Sequence, residues 1–271
     1  MTPPPCVSRM PEATTTDGLL NHRLVLEQPA HGFRVAVDTL VLAAAVPAKP
    51  SDRVVDLGCG VGGALLALAC RVPRVRGVGI DNQLPLVALA RANVRRNALP
   101  ARLSVWSADV TRLGARGAGL FDHALMNPPY HAAEHHPASP NTVKRHANTA
   151  PSDDLAAWIR AAARLLKSDG LLTLIHRADR GEEICALLAE MNFGPPTLTP
   201  IITKAGTPPR RLLVRASQHA ASLLWSRPTT PSLVLNDAIG RPTAAAHALL
   251  REGKSLDEVL TMASEPRFSS P

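Results

Sequence analysis

The feature that most constrains the fold is a glycine-rich run, Asp56-Leu-Gly-Cys-Gly-Val-Gly-Gly63, which directly follows a short apolar segment. Residues 53–57 (RVVDL) have the length and branched side chains of a buried strand, and residues 62–71 have the apolar content of a helix. Glycines between a strand and a helix let the backbone turn sharply and approach a ligand closely, and the helix start offers free N–H groups. The run therefore predicts a ligand-binding loop in an α/β fold.

Downstream of this run, strand-like and helix-like segments alternate. We predict strands at 75–80, 102–107, 121–126 and 171–176, helices at 84–97, 153–167 and 180–191, and a last hairpin that pairs 197–203 with 210–215. Strands that alternate with helices of this length are typical of parallel βαβ units with helices on both faces of the sheet. The chain is therefore predicted to be an α/β protein.

The sequence divides into four segments by composition and periodicity. They are a Pro/Thr-rich flexible tail (1–20), a hairpin followed by a helix (21–50), the α/β domain (51–216) and an extension packed on that same domain (217–271). Within the second segment we expect strands at 23–27 and 33–37, with Asp38 as the cap of a helix from Thr39 to Val46. In the extension we single out a short apolar segment at 233–235, followed by a predicted turn at 236–240 and a helix at 244–252.

Composition excludes several classes of protein. The 271 residues carry a formal charge of +8, and 25 of the 30 cationic residues are arginine, which agrees with nucleic-acid binding without identifying it. No apolar stretch approaches the roughly 20 residues that a membrane span requires, and no signal peptide is visible. The four cysteines lack CxxC spacing, so we expect free thiols, no metal and a cytoplasmic protein.

A carboxylate at the tip of the second predicted strand indicates what the glycine loop binds. Asp81 ends this strand, and a carboxylate in that position can accept both hydroxyls of a ribose. The two features together predict a ligand with an adenosine-type ribose. A nicotinamide dinucleotide remains open at this point, because GCGVGG also has the third glycine of the dinucleotide pattern at Gly63.

The run D-L-G-C-G-V-G resembles the first motif of class I S-adenosylmethionine-dependent methyltransferases. The resemblance implies a Rossmann-like fold with a seven-stranded, mostly parallel sheet, a terminal antiparallel hairpin strand and helices on both faces. It also implies S-adenosyl-L-methionine as cofactor. Its methionine end would be held by Asp56, Gly58, Gly60 and Gly62, its ribose by Asp81, and its adenine amino group by Asp109. For Asp109, a solvent-exposed helix cap is the alternative.

The fourth strand of this domain runs directly into Asn127-Pro128-Pro129-Tyr130. The two prolines fix φ and hold the backbone rigid at the strand end, where parallel sheets place their ligands. Asn127 offers a side-chain carbonyl, Pro128 a backbone carbonyl, and Tyr130, the only tyrosine in the chain, an aromatic face. Two fixed acceptors and a stacking ring suit a planar amino group, and Asn127 is also expected to contact the cofactor. The motif is similar to that of methyltransferases acting on adenine N6 or glutamine N5.

Residues 20–216 further resemble the bacterial tRNA adenine-N6 methyltransferases that act beside the anticodon of a valine tRNA. This resemblance places Phe33, Arg34 and Asp38 near the cofactor, although a packing hairpin with a helix cap explains them equally well. Protein glutamine methyltransferases and DNA or rRNA adenine methyltransferases remain alternatives. A helical substrate domain or a target-recognition insertion would favour them, and only 52 residues precede the first strand of the domain.

The segment from His131 to Pro151 has no regular pattern and is predicted to be an RNA-contacting lid with Lys144 and Arg145. His135 and His136 lack accompanying acidic or cysteine ligands, so no metal site is expected there. Arginines at 210, 211 and 215 could contact phosphate or could simply be a solvated edge strand.

Overall fold

The strands predicted from the apolar segments form most of a central sheet in the computed structural model, which describes residues 13–32, 34–114, 117–129, 154–218 and 231–264. The strands in chain order are β1 (Thr14–Leu19), β2 (Leu24–Pro29), β3 (Arg53–Leu57), β4 (Arg76–Asp81), β5 (Leu103–Ser107), β6 (Phe121–Met126), β7 (Leu166–Arg177), β8 (Thr197–Ile202), β9 (Arg211–Ser217) and β10 (Leu233–Val234). Strands β1 and β2 form a separate antiparallel pair, and the other eight form one sheet.

The order of strands in the large sheet is β10-β8-β9-β7-β6-β3-β4-β5. All neighbouring pairs are parallel except those that involve β9, which is antiparallel to both β7 and β8. The strand order reverses beside β3, so the glycine run that follows β3 lies at the crevice where open α/β sheets bind ligands.

Helices cover both faces of the sheet, as predicted. They are α1 (Val37–Ala45), α2 (Gly63–Arg71), α3 (Leu84–Arg96), α4 (Asp154–Leu165), α5 (Gly181–Glu190), α6 (Ala244–His247), which continues as a π turn (Ala248–Glu252), and α7 (Leu256–Ser264). Apolar side chains of α1, α2, α3 and the C-terminal helices share one buried cluster, and those of α4 and α5 share another. Two apolar layers therefore sandwich the sheet.

The large sheet has eight strands instead of the predicted seven. The additional strand is β10, whose two residues pair in parallel with Ile201 and Ile202 of β8. Two residues are too few to show a period in the sequence. The predicted antiparallel hairpin of β8 and β9 is confirmed.

The predicted N-terminal hairpin was wrong about which segments pair. Residues 14–19, placed in the flexible tail, form β1, and it pairs with β2 through a turn in which Leu20, Asn21 and His22 all have positive φ. The segment 34–36, placed in the second hairpin arm, leads instead into α1, because the Gln28 side chain accepts a hydrogen bond from the backbone N–H of Val35 at 2.9 Å. Three consecutive threonines at the start of β1 favour extended backbone.

Two helices also differ from the prediction, one in its start and one in having been missed. Helix α1 begins at Val37 with Ala36 as its N-cap, so Asp38 does not cap it. Near the C-terminus, α7 was not predicted; Leu256 and Val259 on this helix are buried in the same cluster as α1 and α2. The described part of segment 217–271 therefore contributes side chains to the buried cluster of α1 and α2.

Candidate functional site

The glycine loop between β3 and α2 adopts a backbone that needs its glycines. Gly58, Gly60 and Gly62 have φ of +70°, +54° and +86°, in the left-handed region that a Cβ disfavours. The N–H groups of Gly58 and Cys59 both donate to the Ile80 carbonyl, at 2.8 and 3.0 Å, which joins the loop to β4. The loop is thus held close to the sheet edge, with the first N–H groups of α2 behind it.

Gly58 lies directly under a tryptophan of α4. A Cβ at this position would stand 2.5 Å from Cη2 of Trp158, so no larger residue fits unless the indole moves. Trp158 is 9% exposed, and its Nε1–H has no hydrogen-bond acceptor among the described residues. Trp158 therefore forms one wall of the loop, a contact that the sequence did not predict because it joins residues one hundred positions apart.

Asp81 occupies the tip of β4, as predicted, and contacts the glycine loop. Its Oδ2 accepts from the backbone N–H of Gly60 at 2.9 Å and its Oδ1 from that of Gln83 at 2.8 Å. Burial raises the pKa of this carboxyl, while these backbone hydrogen bonds oppose the rise. Each oxygen keeps a second lone pair, so the carboxylate can still accept hydroxyl groups of a ligand.

Asp56 is the most strongly perturbed carboxyl of the site. Burial raises its pKa to about 8, with a further contribution from the nearby charge of Asp81, while a hydrogen bond from the backbone N–H of Leu65 lowers it. Its Oδ2 is buried and has no partner among the described residues. An acidic group left in this state is suited to a ligand that brings positive charge.

Cys59 lies in the glycine loop, and its thiol is affected by the charges of both Asp56 and Asp81. Burial raises the pKa of its thiol well above the usual value, and the charges of Asp56 and Asp81 add to the rise. The thiol therefore stays protonated and serves as a small packing group, with its sulfur against Gly79 of β4.

Asp109 caps a short 3-10 turn, Val110–Arg112, at the end of β5. Its Oδ1 accepts from the backbone N–H and the hydroxyl of Thr111, at 2.9 and 2.7 Å. Asp109 is therefore a helix cap, which was the alternative to a contact with the cofactor's adenine. Its Oδ2 lies 3.6 Å from Nε of Arg112 and is partly exposed, so one oxygen remains accessible to a ligand.

The Asn-Pro-Pro segment lies beside the glycine loop. Strand β6 pairs in parallel with β3, and Met126 is opposite Leu57, so Asn127 and Gly58 follow at the same edge of the sheet. Asn127 is half-buried and Pro128 is buried. The structure therefore brings together the two motifs that the sequence singled out. Tyr130, the last residue of the second motif, lies outside the described residues.

Arg34 and Asp38, which the resemblance placed near the cofactor, are both held by groups of the protein itself. Arg34 hydrogen-bonds to Asp17, at 2.8 Å, and to the Pro29 carbonyl, at 2.9 Å, so its guanidinium ties the β1–β2 hairpin together. Asp38 accepts from Nε of Arg211 at 2.8 Å. Three further predicted residues lie outside the described part of the chain: Phe33, Lys144 and Arg145.

Two of the three hairpin arginines considered as phosphate contacts are engaged in ion pairs. Arg211 pairs with Asp38, and Arg215 pairs with Asp257 of α7. Their guanidinium groups therefore join β9 to neighbouring helices. The alternative of a solvated edge strand was wrong, because β9 pairs with β7 on one side and with β8 on the other.

The described ranges contain no group of three or more His, Cys, Asp or Glu side chains suited to a metal ion. His135 and His136 lie outside those ranges. Among the same residues, no helix has the length and apolar character to cross a membrane.

These residues fit S-adenosylmethionine better than a dinucleotide. The cofactor is positively charged at its sulfonium and its amino group, and Asp56 offers a buried carboxylate oxygen that lacks a partner among the described residues. A diphosphate would instead add negative charge beside Asp56 and Asp81, whose pKa values are already raised.

Comparison with known proteins agrees with this assignment. The sequence matches the model of the methyltransferase small domain family over residues 33–191, more than half of the chain. A protein from Shewanella amazonensis named tRNA1(Val) (adenine(37)-N6)-methyltransferase is 30% identical over 226 residues, covering 82% of this chain and 91% of that protein. A protein of the same name from Porphyromonas gingivalis is 28% identical over 233 residues, covering 83% and 90%.

Among solved structures, a crystal structure described as a predicted O-methyltransferase from Agrobacterium tumefaciens has a TM-score of 0.65 at 26% identity, covering 80% of this chain and 97% of that chain. The segment matched by the family model contains the glycine loop, both acidic strand tips and the Asn-Pro-Pro turn. The chain therefore belongs to the methyltransferase small domain family and is an S-adenosylmethionine-dependent methyltransferase.

Proposed function

We propose that this methyltransferase acts on the exocyclic N6 amino group of an adenine in tRNA. The observation that carries the proposal is the position of Asn127 and Pro128 beside the glycine loop at one sheet edge. The names of the relatives from Shewanella amazonensis and Porphyromonas gingivalis support a tRNA substrate, and specifically adenine 37 of a valine tRNA.

The chemistry requires acceptors in fixed positions. The lone pair of an exocyclic amine is delocalised into its ring, which makes the nitrogen a poor nucleophile. Hydrogen bonds accepted by the Asn127 side-chain carbonyl and the Pro128 backbone carbonyl would localise that lone pair and direct it toward the incoming methyl group. Pro129 has no N–H to compete for these carbonyls. Positioning and electrostatics of this kind contribute several kcal/mol to catalysis.

On the cofactor side, S-adenosylmethionine supplies an electrophilic methyl group on a sulfonium. Asp56 and the glycine turn would hold its methionine end, Asp81 would accept hydrogen bonds from its ribose hydroxyls, and Oδ2 of Asp109 would accept one from its adenine amino group. The half-buried Asn127 lies beside Gly58, so it would contact both the cofactor and the acceptor base. Tyr130 would stack on that base, as aromatic residues do on unpaired bases.

The substrate would have to present an unpaired adenine. Base-modifying enzymes take the target out of its stack into a pocket, and bases of an anticodon loop are accessible in this way. The net charge of +8 favours a polyanionic partner. A tRNA substrate would also place the enzyme in the cytoplasm.

Labelled-methyl transfer to total tRNA, followed by nucleoside mass spectrometry, tests the proposal. We expect N6-methyladenine with the wild type and a decrease in kcat of about 100-fold or more for Asn127→Ala. Asn192→Ala serves as a control, since Asn192 lies in the turn after α5, away from the motif. Absence of N6-methyladenine with an enzyme that binds S-adenosylmethionine, or full activity of Asn127→Ala, would refute the assignment.

A protein glutamine side chain is the second candidate acceptor, because the same two carbonyls would equally orient an amide nitrogen. Incubation with purified release factors distinguishes the two. Methylation of the protein, with none in tRNA, would establish the glutamine N5 activity instead.

A further inference from the structure

Asn93 of α3 joins the glycine loop to the N-terminal hairpin. The side chain is fully buried, and all three of its hydrogen bonds go to backbone groups. Its Oδ1 accepts from the N–H of Glu27 at 2.8 Å, while its Nδ2 donates to the carbonyls of Glu27 at 2.9 Å and Val61 at 3.0 Å. Val61 is the residue between Gly60 and Gly62 of the loop.

The peptide that links Val61 to Gly62 is consequently held at both ends. Its carbonyl accepts from Asn93, and its N–H donates to the Cys59 carbonyl at 2.8 Å. The other loop tethers, at Gly58, Cys59 and Gly60, all lead to β4. Asn93 thus holds the loop from a different element, helix α3.

The two bonds to Glu27 hold the Asn93 amide in one orientation. Asn97, one turn further along α3, makes the same paired contact with Val25, at 3.0 and 2.8 Å. The two asparagines thereby supply β2 with the hydrogen bonds that a neighbouring strand would provide. They differ in one respect, because Asn97 makes no contact with the glycine loop and its third bond goes to the Asn93 carbonyl.

We propose that Asn93 is a positioning residue for the cofactor: it fixes the Val61–Gly62 peptide and so keeps the glycine loop in its binding-competent conformation. Without this tether the Val61 carbonyl is buried without its donor, and the loop populates other conformations. Apparent affinity falls in proportion to the competent fraction, although Asn93 itself never touches the ligand. The proposal rests on the cofactor assignment and not on the identity of the methyl acceptor.

A comparison of Asn93→Ala with Asn97→Ala isolates the loop contact. Each variant removes one of the two paired contacts with β2, and only Asn93→Ala also removes the hydrogen bond to the Val61 carbonyl. We expect Asn93→Ala to raise the Kd for S-adenosylmethionine, measured by calorimetry, about tenfold or more. For Asn97→Ala the Kd should stay within about twofold of wild type, because the hydrogen bond from Asn93 to the Val61 carbonyl is retained. At saturating cofactor, kcat should change little in either variant.

Asn93→Asp provides a second test if the alanine variant does not fold. It keeps the side-chain shape and the acceptor for Glu27 but loses both donors, so its Kd should also rise although its added charge would favour a cationic ligand. The wild type offers a measurement that needs no variant. On addition of S-adenosylmethionine, the side-chain amide protons of Asn93 should exchange more slowly, and those of Asn97 should be unchanged.

Equal Kd values for wild type and a folded Asn93 variant would overturn the proposal. So would an equal loss of affinity in the Asn97 variant, or identical exchange behaviour of the two side-chain amides in the wild type. Each of these outcomes is independent of whether tRNA or a protein is methylated, because only cofactor binding is measured.

Discussion

At the scale of single residues, burial controls the charge of Asp56. Its pKa in the folded protein is about 8, above the value of 3.8 for an exposed aspartate. Protonated Asp56 therefore stabilises the free protein, and that contribution is lost as pH rises from about 4 to about 8. A cationic ligand reverses this preference, because it favours the carboxylate.

We therefore expect the affinity for S-adenosylmethionine to rise with pH and level off near pH 8. Below that pH, binding should release a proton, and the Kd should change by up to about tenfold per pH unit. Calorimetry in buffers of different ionisation enthalpy measures both quantities. The control is Asp56→Asn, which leaves the ligand's own titration unchanged. The prediction fails if this variant shows the same pH profile as the wild type.

At the scale of secondary-structure elements, the packing of α4 against the glycine loop limits what the loop can contain. Gly58 has φ of +70°, and a Cβ there would meet Trp158 at 2.5 Å. Gly119, in the loop before β6, has φ of +64° with no atom within 4 Å of an added Cβ. Replacing either glycine by alanine therefore strains the backbone to a similar degree, but only at Gly58 does the new Cβ also clash with a neighbouring side chain.

Gly119→Ala should lower the free energy of unfolding by about 1 kcal/mol, through its backbone conformation alone. Gly58→Ala should cost about 1–3 kcal/mol more, because the indole must move, and it should weaken cofactor binding. Urea denaturation and calorimetry test this difference. Equal effects of the two substitutions would show that Trp158 does not restrict the loop.

At the scale of the whole molecule, a group of exposed cationic side chains lies at the same sheet edge as the site. Because β8 is parallel to β7 and β9 is antiparallel to it, the turn between β8 and β9 lies at the same sheet edge as Asn127. This turn carries the exposed side chains of Lys204 and Arg210. The loop after β10, with the exposed Arg241, is joined to the turn by a hydrogen bond from the Asn236 side chain to the Thr203 carbonyl, at 2.7 Å.

Replacing Lys204, Arg210 and Arg241 with alanine should weaken tRNA binding and leave cofactor affinity unchanged. If all three contact phosphate, the slope of log K against log salt should become shallower by about 2–3. Filter binding at several salt concentrations measures it. Arg74 and Arg76, exposed at the opposite edge, form the control pair, whose replacement should leave the slope unchanged. Equal slopes for the triple variant and wild type would exclude this surface from RNA binding.

Local signals in the sequence correctly predicted most of the α/β domain. The boundaries of β3 and β6 agree with the prediction residue for residue, because each strand is a short apolar run that ends at a glycine or at Asn-Pro-Pro. The hairpin, β10 and α7 were misplaced or missed. Their positions depend on contacts distant in sequence, such as those of β2 with Asn93 and Asn97 and of Val259 with the core.

Local sequence is enough to predict the strand–loop–helix unit at Gly58 and the rigid Asn-Pro-Pro turn at Asn127, since positive φ and proline rings act within a few residues. The electrostatics and the support of the site depend on tertiary packing. Burial of Asp56 raises its pKa, Trp158 closes over Gly58, and Asn93 holds Val61 from another helix. Burial and long-range hydrogen bonds arise from packing, and no local pattern encodes which distant groups will meet.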